Sequence, residues 1–520
     1  MEEATGRRPG SERLAGGRAG PLGAALFLAG LSLVLRAPGL SSHGLYRDDA
    51  WPALAARTDI GRAVRLGVTV PGYELFLRLW LGLGHSTMWA QAPALVASVT
   101  GVVAVFVAAR WLGCRTAAAL VAGGILALSP VSVLYATRVK QYSFDALFTI
   151  VILVLAVAVI KSPGSRSRWT LLVGASMAAT LFSASVFPVT VSSLLVCTWF
   201  ARRATRHLRP AVVALAFYGA FTTLYAVVVL RSVPDPLRDS WRANYIDHTG
   251  VRALVSSTWH VLDEFTAGLF YRHGPLGPLV LVALAVAVCR WRRDIAALLI
   301  GPVLLALALA LGGRVPFGGG RTDEYLYPCV ALAAAVVAEH VLRWPSLSRT
   351  APSALALAVA VALAAFALTR GLQHARANPY PAVDMAALIS AVDLARQPGD
   401  AVIVGPLSRH PFAWSQASAP RLVFSRQYAT GFTIASDDPD VLVLPADGFE
   451  GGFDPGQAVA FAQGRQRVWY LVTDTPASDT PAPVQAVEVM GEQKLVDAGF
   501  RKVQRIDVFG GHADLLQRDG

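Results

Sequence analysis

Stretch after stretch of this chain runs close to the bilayer's length with one charge or none, and that repetition limits what it can fold into. A spanning helix needs about 20 largely apolar residues. Candidate spans lie at 21–38, 90–110, 117–136, 143–160, 169–185, 188–201, 210–230, 275–289, 294–312, 326–342 and 352–369. Segments this apolar must satisfy their backbone polar groups internally, which in lipid means helices. Of the 520 residues only 15% are charged, against roughly 25% in soluble domains. The expectation is an all-α polytopic membrane protein with about 11 transmembrane helices, two short spans or one kinked helix flanking Pro188.

Basic residues give the topology. Arg7, Arg8, Arg13 and Arg18 precede the first apolar stretch, and no small-x-small cleavage pattern follows it. It reads as an uncleaved first span behind a basic, cytoplasmic N-terminus, residues 1–20. With that start, the short inner loops carry Arg110 and Arg115, then Lys161, Arg166 and Arg168, then Arg202 to Arg209, Arg290 to Arg293, and Arg343 with Arg349. This is the positive-inside pattern of a multi-pass protein of the cytoplasmic membrane. The net charge of +12 therefore serves topology and lipid headgroups, and nucleic acid is not expected as a partner. Cys114, Cys197, Cys289 and Cys329 sit in or beside apolar runs without metal-ligand spacing, as small buried apolar residues do.

The outer segments are more varied. Loop 39–89 holds two stretches, Trp51 to Arg65 and Tyr73 to Leu83, with helical spacing of apolar and charged residues, read as helices lying in the interface. Loop 231–274 interleaves Trp241, Tyr245, Trp259, Phe265 and Tyr271 with charged residues, either an aromatic belt or a sugar platform. Residues 21–370 form the transmembrane domain; the remainder, 371–520, changes composition. There a helix at 382–396, strands at 401–405, 441–444 and 468–472, a helix at 484–498 and strands near 501–509 and 512–517 predict an extracytoplasmic α/β domain. It has no glycine-rich phosphate loop and no nucleophile elbow, so a binding or scaffolding role is expected of it.

Three places carry candidate chemistry, all on the outer side. Asp48 and Asp49, between Arg47 and Trp51, form an acidic pair at a membrane boundary. Charges there are costly and tend to be functional. One carboxylate can act as general base while the other orients an arginine or a metal; a solvated turn capping the following helix is the plain alternative. Arg138 and Lys140 break the positive-inside rule, as cations for a phosphate would, and Tyr142 adds a hydroxyl donor. If the segment is helical, Arg138, Tyr142 and Asp145 share a face, with Asp145 orienting Arg138 or Lys140. Snorkelling at the interface would also account for these cations. The third place is the glycine-rich outer loop 313–325 with Arg314, Arg321 and Tyr325, which is expected to be mobile and to close on a phosphate, or else to be a plain connector. His43 is a supporting candidate only. Together these point to an anionic, lipid-linked substrate.

In this order the residues resemble the GT-C superfamily of integral-membrane glycosyltransferases, in particular the bacterial branch related to dolichyl-phosphate-mannose protein mannosyltransferases and aminoarabinose transferases. The matching elements are Asp48-Asp49-Ala50-Trp51, Val70-Pro71-Gly72-Tyr73, the run from Leu77 to Gly84, Leu128-Ser129-Pro130, and Tyr135-Ala-Thr-Arg138-Val-Lys140-Gln-Tyr142-Ser143. The resemblance implies a polyprenyl-phosphate sugar donor, an envelope glycan, lipid or protein acceptor, inversion at the anomeric carbon, and catalysis on the outer face. The family's base falls on Asp48. Hexosyl (mannose-like) and pentosyl (arabinose-like) transfer both remain open. So does a divalent cation, Mg or Mn, at Asp48 and Asp49, because some relatives use one. The rival reading is a transporter or flippase of a lipid-linked sugar without transferase activity.

Overall fold

The computed structural model describes residues 19–58, 61, 70–204, 208–234, 241–270, 273–343, 369, 373, 382–416, 421–428, 430–445, 454–474 and 482–518. The expected span at 352–369 and the N-terminal arm to residue 18 fall outside them, apart from Thr369. So do Tyr271 and most of 59–69.

The membrane part is a helical bundle. Its helices are α1 (Ala19–Arg36), α2 (Arg47–Arg57), α3 (Pro71–Leu81), α4 (Thr87–Trp111), α5 (Thr116–Leu128), α6 (Pro130–Leu134), α7 (Tyr142–Lys161), α8 (Arg166–Phe182), α9 (Phe187–Ala204), α10 (Arg209–Val228), α11 (Val251–Phe270), α12 (Leu276–Trp291), α13 (Arg293–Leu311) and α14 (Tyr327–Leu342). Among the described residues seven helices are long and apolar enough to cross a membrane, or eight if the bent pair α5–α6 is one span. The chain is a multi-pass membrane protein. The count falls below the expected number because the span expected at 352–369 lies outside the described residues, α8 has 17 residues and a basic start, and α12 has 16. At Pro188 the expected alternatives resolve into two helices, divided by a short turn at Ala184–Val186.

Packing follows the bilayer's demands. Ala118, Ala119, Ala122, Ala331 and Ala335 are all fully buried, small residues that bring helix backbones close. Large apolar side chains point outward instead: Leu22, Leu26 and Phe27 of α1 are each more than 60% exposed, as lipid-facing residues should be.

The expected span at 117–136 is broken. Pro130 has no N–H to continue the helix, and the chain bends by 58° between α5 and α6. The carbonyls freed at the break are met by Arg36, which is almost fully buried. Its guanidinium donates to Leu126 O at 2.8 Å, Ala127 O at 2.9 Å and Ser98 Oγ at 2.8 Å. Ser129 caps α6 by accepting from Ser132 N at 3.3 Å, and its hydroxyl donates to Gly268 O at 2.9 Å. This bend delivers residues 135–141 to the end of the bundle that carries α2.

The first loop supplies α2 and α3, neither long enough to span. In α3, Tyr73, Leu77 and Leu81 are buried while Leu75 and Leu79 are exposed, an amphipathic pattern. Trp80 and Trp89 stack at 4.2 Å and exchange indole N–H bonds to each other's carbonyls at 2.7 and 2.9 Å, fixing α3 against the start of α4.

The C-terminal part is an α/β domain. Its elements are α15 (Met385–Ala395), β1 (Ala401–Val404), α16 (Arg409–Ser415), β2 (Arg421–Phe424), β3 (Phe432–Ala435), β4 (Val441–Val443), α17 (Gly456–Phe461), β5 (Arg467–Thr473), α18 (Ala482–Asp497), β6 (Phe500–Val508) and β7 (Gly511–Arg518). The sheet order is β4-β1-β5-β7-β6, with β1 parallel to β4 and β5 and the other pairs antiparallel. The expected strands are all present; the β2–β3 hairpin, α16 and α17 are additions. A single apolar cluster joins α2 and α3 to this domain through Leu54, Tyr73, Met385, Phe412 and Trp469.

Candidate active site

Helix α2 begins at Arg47, directly after the extended Tyr46, so both acids fall in its first turn, where the helix dipole favours negative charge. Neither caps the helix: no side-chain cap bond is made at its start. Their surroundings differ. Asp49 is fully buried; its Oδ2 meets Arg138 Nε at 2.8 Å and its Oδ1 accepts the Val139 N–H at 2.8 Å. Asp48 keeps 19% of its side-chain exposure, with Arg321 Nη1 3.2 Å from Oδ2 and Arg47 Nε 3.5 Å from Oδ1. The adjacent acids thus hold two different elements, Asp49 the 138–140 segment and Asp48 the glycine loop.

Aromatic rings back the cations. Arg138 lies 5.1 Å from the Tyr46 ring and 5.7 Å from that of Tyr135. The Lys140 ammonium sits 4.3 Å above Trp51, and Arg321 is 5.0 Å from Trp241. Tyr135 and Tyr142 meet edge to face at 5.3 Å. Such contacts hold a cation at low desolvation cost without consuming its hydrogen bonds.

Charges here tune one another. Burial alone would raise the Asp48 carboxyl, but Arg47, Lys140, Arg321 and Arg138 outweigh it and hold the group well below the usual carboxylate range. Burial pushes Lys140 down to about 7, against the attraction of Asp48 and Asp49. The site is therefore an anion between cations, with one cation poised to lose its proton near neutrality.

Several expectations are corrected. Residues 138–141 are bends, and α7 begins only at Tyr142, so the shared helical face of Arg138, Tyr142 and Asp145 does not exist. Asp145 is buried and orients neither cation; its Oδ2 accepts from Ser183 Oγ at 2.9 Å. Loop 313–325 is tied down rather than loose: Asp323 Oδ2 accepts the Gly318 N–H at 2.9 Å and Asn244 O accepts the Phe317 N–H at 2.9 Å. Gly318 and Gly320 take φ of +80° and +62°, conformations that favour glycine and turn Arg321 towards Asp48. Arg314 is exposed, and no hydrogen bond or ion pair among the described residues ties it to the cluster. Tyr325 is wholly buried beneath the loop, its hydroxyl unpartnered among the described residues. His43 lies apart, 3.5 Å from Asp384 and stacked on Phe509 at 4.5 Å, where it joins the loop to the C-terminal domain.

Three residues outside the motifs bear on this cluster. Trp241 belongs to the aromatic loop, but nothing in that run distinguishes it from its neighbours. Arg409 and His410 come from the distant C-terminal domain, and no local pattern marks them.

The donor set does not suit a resident dication: both carboxylates are engaged by guanidinium groups and Lys140 stands beside them. Among the described residues no cluster of three or more His, Cys, Asp or Glu side chains could hold a metal ion.

By sequence the chain matches no protein-family profile and no curated protein. By fold it is similar to the crystal structure of ArnT, an aminoarabinose transferase, from Cupriavidus metallidurans bound to undecaprenyl phosphate. That likeness covers 95% of this chain and 97% of that one, with a TM-score of 0.53 and 14% identity. The Archaeoglobus fulgidus oligosaccharyltransferase in complex with Zn and sulfate aligns over 94% of this chain and 72% of its own, at 12% identity. Its TM-score is 0.49. The chain shares the fold of the aminoarabinose transferase structure, the fold that the resemblance of the ordered motifs implies.

Proposed function

We propose that this protein transfers a sugar, hexose or pentose, from a polyprenyl-phosphate donor to an envelope glycan, lipid or protein acceptor at the outer face of the cytoplasmic membrane. The N-terminus is cytoplasmic and the C-terminal domain extracytoplasmic in this reading, which the arginine-rich inner loops support. The observation that carries it is Asp48, an ionised and partly open carboxylate set between Arg321, Arg47 and Lys140 at a bundle end.

The acceptor hydroxyl oxygen bonds to the anomeric carbon as the carbon–oxygen bond to phosphate breaks, and its proton passes to the Asp48 carboxylate. Polyprenyl monophosphate leaves with the bonding electrons. Negative charge grows on its oxygens, and fixed cations at Lys140 and Arg321 lower the barrier by meeting it. Phosphate binding also draws Arg321 and Lys140 away from Asp48. The carboxylate then becomes a better base when donor is present. Asp49 acts through Arg138 and the Val139 backbone, which it holds in place.

The test is sugar transfer by purified, lipid-reconstituted protein across a panel of radiolabelled polyprenyl-phosphate sugars, wild type beside Asp48→Asn. Loss of transfer with donor binding retained supports the reading. Movement of a labelled donor between leaflets, with none consumed, overturns it in favour of a transporter.

A further inference from the structure

The C-terminal domain reaches the acidic pair through α16. Phe412, Ala413 and Trp414 of this helix pack in one apolar cluster with Ala50, Ala53 and Leu54 of α2. The Arg57 guanidinium lies 3.8 Å from the Trp414 ring centre, adding a second clasp. At the other end of α16, Arg409 and His410 are 4% and 1% exposed, deeper than a surface domain contact requires.

His410 is held in one tautomer. Arg409 Nε donates to its Nε2 at 3.4 Å, and Arg409 Nη2 reaches Thr430 Oγ1 at 3.5 Å. With Nε2 accepting, the ring proton is on Nδ1. Burial first, and the Arg409 charge next, keep the imidazole far below its ordinary pKa, so it is neutral. Phe432 stands edge-on to the ring at 5.6 Å. Nδ1 itself is buried and has no hydrogen-bond partner among the described residues. The other charges acting on the ring are Arg47, Asp48 and Lys140, the groups of the candidate site. An unmet buried N–H is costly, and one on the helix that packs against α2 beside the acidic pair calls for a partner that is not part of the protein.

We propose that His410 donates its Nδ1–H to a hydroxyl of the donor sugar, so that the C-terminal domain forms one wall of the active site. The inference rests on the transferase reading above. Lys140 decides between sugar and acceptor: the sugar is covalently joined to the phosphate that Lys140 and Arg321 hold. Its hydroxyls therefore arrive among the charges that surround His410, wherever the acceptor enters.

The experiment uses the full chain in lipid, with two probes, a polyprenyl-phosphate sugar and the bare polyprenyl phosphate. His410→Leu removes the donor N–H; His410→Asn keeps one near the position of Nδ1. His410→Leu should weaken binding of the sugar-bearing lipid by about tenfold and change bare polyprenyl phosphate by less than about twofold. His410→Asn should recover most of that loss, with the unfolding temperature of both variants near wild type. In the transfer assay, KM for the donor should rise more than kcat falls. Equal weakening of both lipids, or a His410→Asn variant as impaired and as heat-labile as His410→Leu, would make His410 structural and overturn the proposal. So would a raised acceptor KM with donor binding unchanged. If wild type consumes no donor, the transferase reading fails on its own, and the difference between the two lipids still decides the role of His410. Absence of any binding by wild type overturns both.

Discussion

Arg36 and Arg321 are both arginines at helix breaks, and they are used in opposite ways. Arg36 commits its guanidinium to two backbone carbonyls and a serine hydroxyl, and it is 1% exposed. Arg321 makes one side-chain hydrogen bond among the described residues, to Asp48, rests against Trp241, and keeps 26% of its side-chain exposure. A buried cation with every nitrogen engaged repairs the fold. One with donors to spare, facing a half-open carboxylate, is equipped for a ligand. The same contrast separates Asp49, closed onto Arg138 and Val139, from Asp48.

The largest effect that would break this division is at Asp48. Asp48→Asn should cut sugar transfer by about 10²- to 10⁴-fold, with unfolding temperature in detergent nearly unchanged; a stability loss in place of a rate loss would erase the distinction. Asp49→Asn should act the other way round. It strands the buried Arg138 and should cost about 3–5 kcal/mol of stability, read by denaturant unfolding, with transfer lost only as the 138–140 segment loosens. Arg36→Leu comes next. It leaves the Leu126 and Ala127 carbonyls without donors, at about 1–3 kcal/mol each, while transfer per folded molecule stays close to wild type. Should Arg36→Leu abolish transfer in a fully folded protein, the bend at Pro130 would belong to the site as much as to the bundle.

Much of this site is legible in the amino-acid sequence alone. The cations Arg138, Lys140 and Arg321 and the acidic pair share one end of the bundle, and these cations depart from the pattern of basic residues that the other short loops follow. Rule-breaking charges are visible because lipid penalises them. Local geometry is where the reading fails. Asp145 lies seven residues from Arg138, at helical spacing, yet the backbone between them is bent, so the periodicity has nothing to act on. Arg314 and Arg321 look alike in a glycine-rich string, and only the exposure of the first and the ion pair of the second with Asp48 show which one turns inward. His410 leaves no trace at all. Its role depends on how one domain docks on another, and neither hydropathy nor spacing records that.

The smallest predicted effect is also the most specific, and it concerns Lys140. In the free protein, burial pushes this ammonium down to about 7 against the pull of Asp48 and Asp49. A donor phosphate binds the charged form. Affinity should therefore be flat below about pH 7 and fall above it, by up to about tenfold per pH unit, until the raised pKa of the bound complex is reached. Asp48 cannot produce this slope, because its own titration lies far below that range. Stability should move in the opposite sense. A fold that depresses the lysine from 10.5 favours its neutral form, so between about 7 and 10.5 the unfolded chain binds more protons, and unliganded protein gains stability as pH rises. Lys140→Arg keeps its charge throughout, so both trends should vanish together in donor titrations and thermal unfolding from pH 6 to 10. Persistence of the affinity slope in that variant would move the phosphate contact to another group.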